Sequence, residues 1–133
     1  QAVSIPVIAN GDIDSPQKAR QVLEYTGADA IMIGRAAQGQ PWIFREIDHF
    51  IKTGLTLAKP SIDEVAHIML NHIANVHQLY GDFTGVRIAR KHITWYLRKH
   101  DPEGQFRGQF NALERVDEQI DALNRYFLHA INF

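Results

Sequence analysis

The sequence predicts an α/β segment followed by an all-α domain. Two short apolar runs, residues 5–9 and 30–33, lack the alternation of apolar and polar residues that is typical of a strand with one solvent-exposed face. They therefore predict parallel strands that are buried on both faces. Between them, residues 15–27 have helical spacing, and the second half of the chain shows only helical periodicities. We therefore predict strand, helix and strand within residues 1–54, a linker at 55–60 and a helical bundle at 61–133.

The helix between the two strands has clear start and stop signals. Ser15 can cap it, and Pro16 fits the first helical position, where no N–H donor is needed. Gly27 ends it with a residue that tolerates positive φ. A further helix is predicted over residues 40–52, with Gly54 closing it.

Polar residues follow each predicted strand. Ligands of parallel sheets gather at the carboxyl ends of the strands. Glycine lets the backbone approach an anion closely, and N–H groups just past a strand can cradle phosphate oxygens beside a guanidinium. The pattern is compatible with a phosphate site and also with glycines that only turn the chain. The residues at these two strand ends are Asn10, Gly11, Asp12, Gly34 and Arg35.

Three helices are predicted in the second half of the chain. The sequence Ser61-Ile-Asp-Glu64 is a capping box and starts a helix that ends at Gly81. A second helix is predicted over residues 83–100 and a third from about 113 to 130. Their apolar positions recur every three or four residues, which predicts the core seams of a bundle.

The second of these helices has a basic face. At 100° per residue, Arg87, Lys91 and Arg98 stack on one side and the apolar positions on another. Residues 83–110 hold six Lys and Arg against two acids. Residues 61–82 hold three acids and no Lys or Arg, and residues 111–133 hold four acids against two Arg. The formal charge of −1 thus hides a polarised domain. Such clustering is typical of a phosphate-backbone contact, but also of a solvated face paired with acids of neighbouring helices.

Several site classes are disfavoured. The chain has no cysteine, which excludes disulfides and thiolate metal sites. His67, His72 and His77 recur every five residues, whereas metal ligation from one helix face uses positions i and i+4, so no metal is expected. No apolar run reaches the roughly 20 residues of a membrane span, and no signal peptide is visible. We expect a cytoplasmic protein that has no membrane partner.

Three motifs occur in order along the chain: Pro6-Val-Ile-Ala-Asn-Gly-Asp-Ile13, Gly27-Ala-Asp-Ala-Ile-Met-Ile-Gly-Arg-Ala-Ala-Gln-Gly-Gln-Pro-Trp-Ile-Phe44 and Arg87-Ile-Ala-Arg-Lys-His92. Together they resemble the tRNA-dihydrouridine synthases, most closely the bacterial B type, over essentially the whole chain. The resemblance implies that residues 1–54 are the last two β/α units of an FMN-binding TIM (β/α)8 barrel. It also implies that residues 61–133 are a C-terminal helical bundle domain that helps to bind tRNA.

Members of this family are flavin-dependent reductases. The resemblance implies that NADPH reduces FMN, that the flavin passes hydride to a flipped-out uridine in tRNA, and that a cysteine donates the proton. The FMN phosphate contacts that it implies are Asn10, Gly11, Asp12, Gly34 and Arg35. The RNA contacts that we predict are Arg87, Lys91, Arg98, Arg90 and His92.

The chain departs from the family pattern in its extent. A TIM barrel needs roughly 250 residues, whereas this chain has 133, begins inside the barrel pattern without a methionine and contains no cysteine. We therefore expect a C-terminal fragment whose catalytic proton donor lies upstream. Alone it should be inactive, bind FMN weakly and tend to self-associate through exposed strand edges. Two alternatives remain open: a non-catalytic RNA-binding or interaction module of helices, and another phosphate-binding barrel enzyme that acts on a small metabolite.

Overall fold

A computed structural model describes residues 3–131 of the chain. Residues 1–2 and 132–133, the outer ends of the two predicted domains, lie outside the described residues. The chain divides into two compact units between Ala58 and Lys59, a boundary within the predicted linker. The elements in order are β1 (Ile8–Asn10), α1 (Pro16–Thr26), β2 (Ala30–Met32), a short 3-10 helix (Arg35–Ala37), α2 (Ile43–Thr53), α3 (Ile62–Tyr96), α4 (Gln105–Ala112) and α5 (Val116–Ile131).

The first unit contains the predicted strand, helix and strand. β1 and β2 pair in parallel, with Asn10 opposite Met32. The side chain of Ser15 accepts a hydrogen bond from Lys18 N at 3.2 Å, so the predicted cap of α1 is confirmed. Gly27 ends α1 with φ 63°, and parallel pairing places the carboxyl ends of both strands at one edge of the sheet.

The prediction that both faces of the strands are buried is wrong for this chain. The core of the first unit is formed by Ile13, Ala19, Ile43 and Ile47, with Ile31 packed against it. The side chains of Ile8 and Met32 are 63% and 45% exposed. The physical reason is that a sheet of two strands is covered here by the helices of its own unit on one face only. Self-association through the strand edges stays a prediction.

The second unit is built around α3, which consists of two arms, residues 62–80 and 82–96. Gly81, at φ 74° and ψ 176°, breaks the helix between them, as predicted. The side chain of Ser61 accepts a hydrogen bond from Glu64 N at 3.2 Å, so the predicted cap is confirmed. Both α4 and α5 pack against α3. The largest fully buried apolar side chains of this unit are Met69, Ile73, Ile93, Leu97, Phe110 and Leu123.

Several boundaries and one element differ from the predictions. In the first unit, β1 covers Ile8–Asn10 rather than residues 5–9, and α2 starts at Ile43 rather than at residue 40. In the second unit, the second arm ends at Tyr96 rather than at residue 100, and α5 starts at Val116 rather than near 113. The helix α4 was not predicted. It is held by Asp101, whose carboxylate accepts hydrogen bonds from Arg107 N at 2.9 Å and Arg107 Nε at 3.3 Å. No helix in the described part of the chain is both long enough and apolar enough for a membrane crossing.

Candidate functional site

An open cleft lies at the edge of the sheet where both strands end. Its volume is about 690 Å³, and it is lined by residues 10–14, starting at the last residue of β1, and by Met32, the last residue of β2, together with residues 34–36. In-register parallel pairing brings these two segments side by side. The cleft contains all five residues that were predicted to contact a phosphate, namely Asn10, Gly11, Asp12, Gly34 and Arg35.

The backbone after β1 has a conformation that restricts which residues fit there. Gly11 has φ 151°, which strains any residue with a side chain, although a Cβ added at Gly11 would meet nothing within 4 Å. Asp12 has φ 44°, a region that aspartate tolerates better than most residues. Only glycine adopts this backbone conformation at position 11 without strain, and the space that a Cβ would occupy there is empty.

An ion pair joins the two strand ends. The Arg35 guanidinium donates to Asp12 Oδ1 at 2.5 Å, and the two side chains are 82% and 80% exposed. An ion pair this exposed contributes at most about 1 kcal/mol. An anion in the cleft can therefore compete with Asp12 for Arg35 at little energetic cost.

The basic face of α3 is exposed. The Arg87 guanidinium lies over the ring of Phe83, with Cζ 4.0 Å from the ring centroid. Lys91 and Arg98 are exposed, with Arg98 lying just past the end of α3. Within residues 3–131, no ion pair involves Arg87, Lys91 or Arg98. These three cations are therefore not neutralised by acids of the described helices.

Arg90 does not belong to this exposed face. It is partly buried, and its Nη2 donates to the carbonyl oxygen of Leu113 at 3.0 Å. Its Nε is buried and has no hydrogen-bond partner in the described part of the chain. Because this guanidinium joins α3 to the segment before α5, we leave Arg90 out of the RNA surface proposed below.

His92 lies in a partly buried cluster that joins the two arms of α3. Its ring centroid is 4.5 Å from that of His72 and 5.1 Å from that of Trp95. His72 Nδ1 lies 3.0 Å from the hydroxyl of Tyr96. Burial lowers the pKa of His72, and burial lowers the pKa of His92, with the charges of His72 and Lys91 adding to that effect. Burial also raises the pKa of Tyr96 to about 12. The lowered pKa disfavours the charged form of His92, so this ring is a weaker candidate for a phosphate-binding cation than the exposed Arg87 and Lys91.

The lowered pKa values of His72 and His92 predict that the second unit loses stability in acid. The unfolded chain takes up protons near the ordinary value of 6.5, and the folded unit only at lower pH. The free energy of unfolding should thus fall as pH drops below 6.5, until the folded pKa values are passed. The urea midpoints of the wild type and of His92→Gln at pH 7.5 and pH 5.5 measure this loss.

His92→Gln is expected to lose less stability than the wild type between these two pH values. His129→Gln, an exposed position on α5, is the control and should behave like the wild type. An equal loss in wild type and His92→Gln would contradict the assignment of the titration to this cluster.

Comparison with known proteins connects the chain with one family. The family model described as "Dihydrouridine synthase (Dus)" matches residues 1–132. The chain is 63% identical over 126 residues to tRNA-dihydrouridine synthase B of Vibrio cholerae, covering 95% of this chain and 39% of that protein. It is 60% identical over 127 residues to tRNA-dihydrouridine synthase B of Pectobacterium carotovorum, covering 96% of this chain and 40% of that protein. The chain thus spans about two-fifths of the length of the curated relatives that it matches.

Proposed function

Because this chain belongs to the dihydrouridine synthase family, we propose that it is the part of a tRNA-dihydrouridine synthase that binds the FMN phosphate and docks the tRNA. The whole enzyme would reduce uridine to 5,6-dihydrouridine in tRNA, with NADPH as reductant and FMN as cofactor, in the cytoplasm. The observation that carries the proposal is the convergence of the five predicted residues on one cleft.

We further propose that residues 1–54 are the last two β/α units of a TIM (β/α)8 barrel and that residues 61–133 are its helical tRNA-binding domain. The exposed side chains of Ile8 and Met32 support the first part, because in a closed barrel the neighbouring strands and the packed interior would cover them. The exposed Arg87, Lys91 and Arg98 support the second part.

The cleft fits a phosphate group. A phosphate needs a cation with several donors and backbone N–H groups that it can approach closely. Arg35 supplies the guanidinium, and Gly11 and Gly34 supply backbone without a Cβ between the strand ends and the cleft. Asp12 holds Arg35 across the cleft until a phosphate replaces its carboxylate. When bound, FMN would supply the hydride chemistry of its flavin ring.

The role of Arg35 predicts that the chain distinguishes FMN from riboflavin, which lacks the phosphate. We expect FMN to bind about fivefold more tightly, because an exposed charge contact is worth roughly 1 kcal/mol. Arg35→Ala should remove this difference. Both affinities should be weak, because the cleft provides only the phosphate end of the site. Titration by equilibrium dialysis measures both affinities, because it does not require the flavin ring to contact the protein.

Lys18→Ala is the matched control, since Lys18 is an exposed cation of the same unit that does not line the cleft. It should leave the preference for FMN unchanged. Equal affinities for FMN and riboflavin in the wild type would contradict the phosphate site.

The second candidate function is a non-catalytic RNA-binding module. The observation that favours it is the set of exposed cations in the helical unit, Arg87, Lys91 and Arg98, which could bind RNA without any contribution from the strands. The flavin titration separates the two candidates, because a module whose strands are only a structural remnant has no reason to prefer FMN. Binding of tRNA without that preference would support the module.

A further inference from the structure

Phe83 is a large aromatic side chain that the core of its unit does not use. It is 69% exposed, and its ring lies 4.0 Å from Cζ of Arg87. The two residues are four positions apart on the second arm of α3, so they are neighbours on the helix surface. A guanidinium over the face of a ring is attracted by the ring quadrupole. The exposed ring thus has a specific contact on the basic face.

The contact restricts the motion of Arg87. An exposed arginine samples many rotamers, and fixing it on a ligand costs conformational entropy. A guanidinium held over a ring has already lost part of this freedom. Its N–H donors lie in the guanidinium plane, so the ring below does not block them from an oxygen acceptor at the edge.

We propose that Phe83 is a positioning residue that holds the Arg87 guanidinium ready for a phosphate of the tRNA backbone. The inference rests on the proposed docking of tRNA by the basic face. Lys91 follows Arg87 one helical turn later, so the held guanidinium and Lys91 present two cations in one row. Arg87 covers one face of the ring, and in this proposal Phe83 acts through Arg87.

A double-mutant cycle tests the proposal, using the whole 133-residue chain and an unmodified tRNA transcript at low, fixed salt. Phe83→Leu keeps an apolar side chain but removes the ring. It should weaken tRNA binding about two- to fivefold, the range of a cation–π contact at an exposed site. Phe83→Trp should keep the wild-type affinity, because tryptophan is the best ring for this contact. In an Arg87→Ala background, Phe83→Leu should cause no further loss.

The other outcomes separate this inference from the proposed function. If Phe83→Leu weakens binding as much without Arg87 as with it, the ring touches the RNA itself and positioning is overturned. If Arg87→Ala weakens binding but Phe83→Leu does not, positioning is overturned and tRNA docking stands. If Arg87→Ala has no effect, both fail. Leu128→Ala, at a position on α5 that is 61% exposed, is the control for loss of an exposed apolar side chain, and circular dichroism verifies that each variant is folded.

Discussion

Gly85→Ala is expected to destabilise the helical unit by about 1–3 kcal/mol, the usual cost of overpacking a close contact. A Cβ at Gly85 would lie 2.9 Å from His77 Cα and 3.2 Å from the carbonyl oxygen of Val76. Both are main-chain atoms, so neither can rotate away, and the two arms of α3 would have to separate. Separation would also disturb the buried contact between His77 Nε2 and Gln119 Oε1, which are 2.8 Å apart.

The matched control is the same substitution at a glycine with open space. A Cβ at Gly108, in α4, would meet nothing within 4 Å. Alanine there should stabilise the unit by about 0.5–1 kcal/mol, because glycine is a poorer helix former. Urea unfolding followed by circular dichroism at 222 nm measures both variants. Effects of the same sign at the two positions would contradict the account of the close approach.

The sequence was sufficient to predict features that depend on a single helix, such as its caps, its ends and its buried face. Ser15 and Ser61 cap the helices as predicted, and Gly81 breaks the long helix where the apolar pattern stops. The apolar face of the second arm is buried as its periodicity requires, with Ala89 and Ile93 fully enclosed. Capping and periodicity are local, so residues close in sequence determine them.

Contacts between elements were not predicted. His77 meets Gly85, four residues to either side of Gly81, and His72 meets His92, nine residues before and eleven residues after it, because the two arms fold back on each other. To predict these contacts from the sequence, one would have to know that Gly81 reverses the chain. Helical spacing also does not reveal that Arg90 donates a hydrogen bond to the carbonyl oxygen of Leu113. The predicted contact between Arg90 and RNA stays a prediction.

The candidate phosphate site was more predictable than the RNA surface. Two parallel strands adjacent in sequence must bring their carboxyl ends to one edge, so the contact between Asp12 and Arg35 follows from the pairing of Asn10 with Met32.

The helix α4 was missed because Gly108 interrupts its helical pattern and its start depends on the carboxylate of Asp101. A tertiary hydrogen bond of this kind leaves no periodic signal.

Alanine at Arg87, Lys91 and Arg98 together is expected to weaken tRNA binding about a hundredfold or more near 0.1 M salt. Each phosphate neutralised by a cation releases counterions, which contributes roughly 0.7–0.9 to the slope of log affinity against log salt. Loss of three contacts should flatten this slope by about two to three units. The three side chains are exposed and outside every described ion pair, so their removal should not unfold the unit.

The salt dependence of tRNA binding by this triple variant is the most direct test of the central claim, that the basic face of α3 docks RNA. The control carries alanine at Lys18, Arg115 and Arg125, which removes the same charge from exposed positions elsewhere. We predict a flatter slope and weaker binding for the first variant and a slope close to wild type for the control. Equal slopes for the two variants would contradict the claim, because the cations of α3 would then be only the solvated side of a helix.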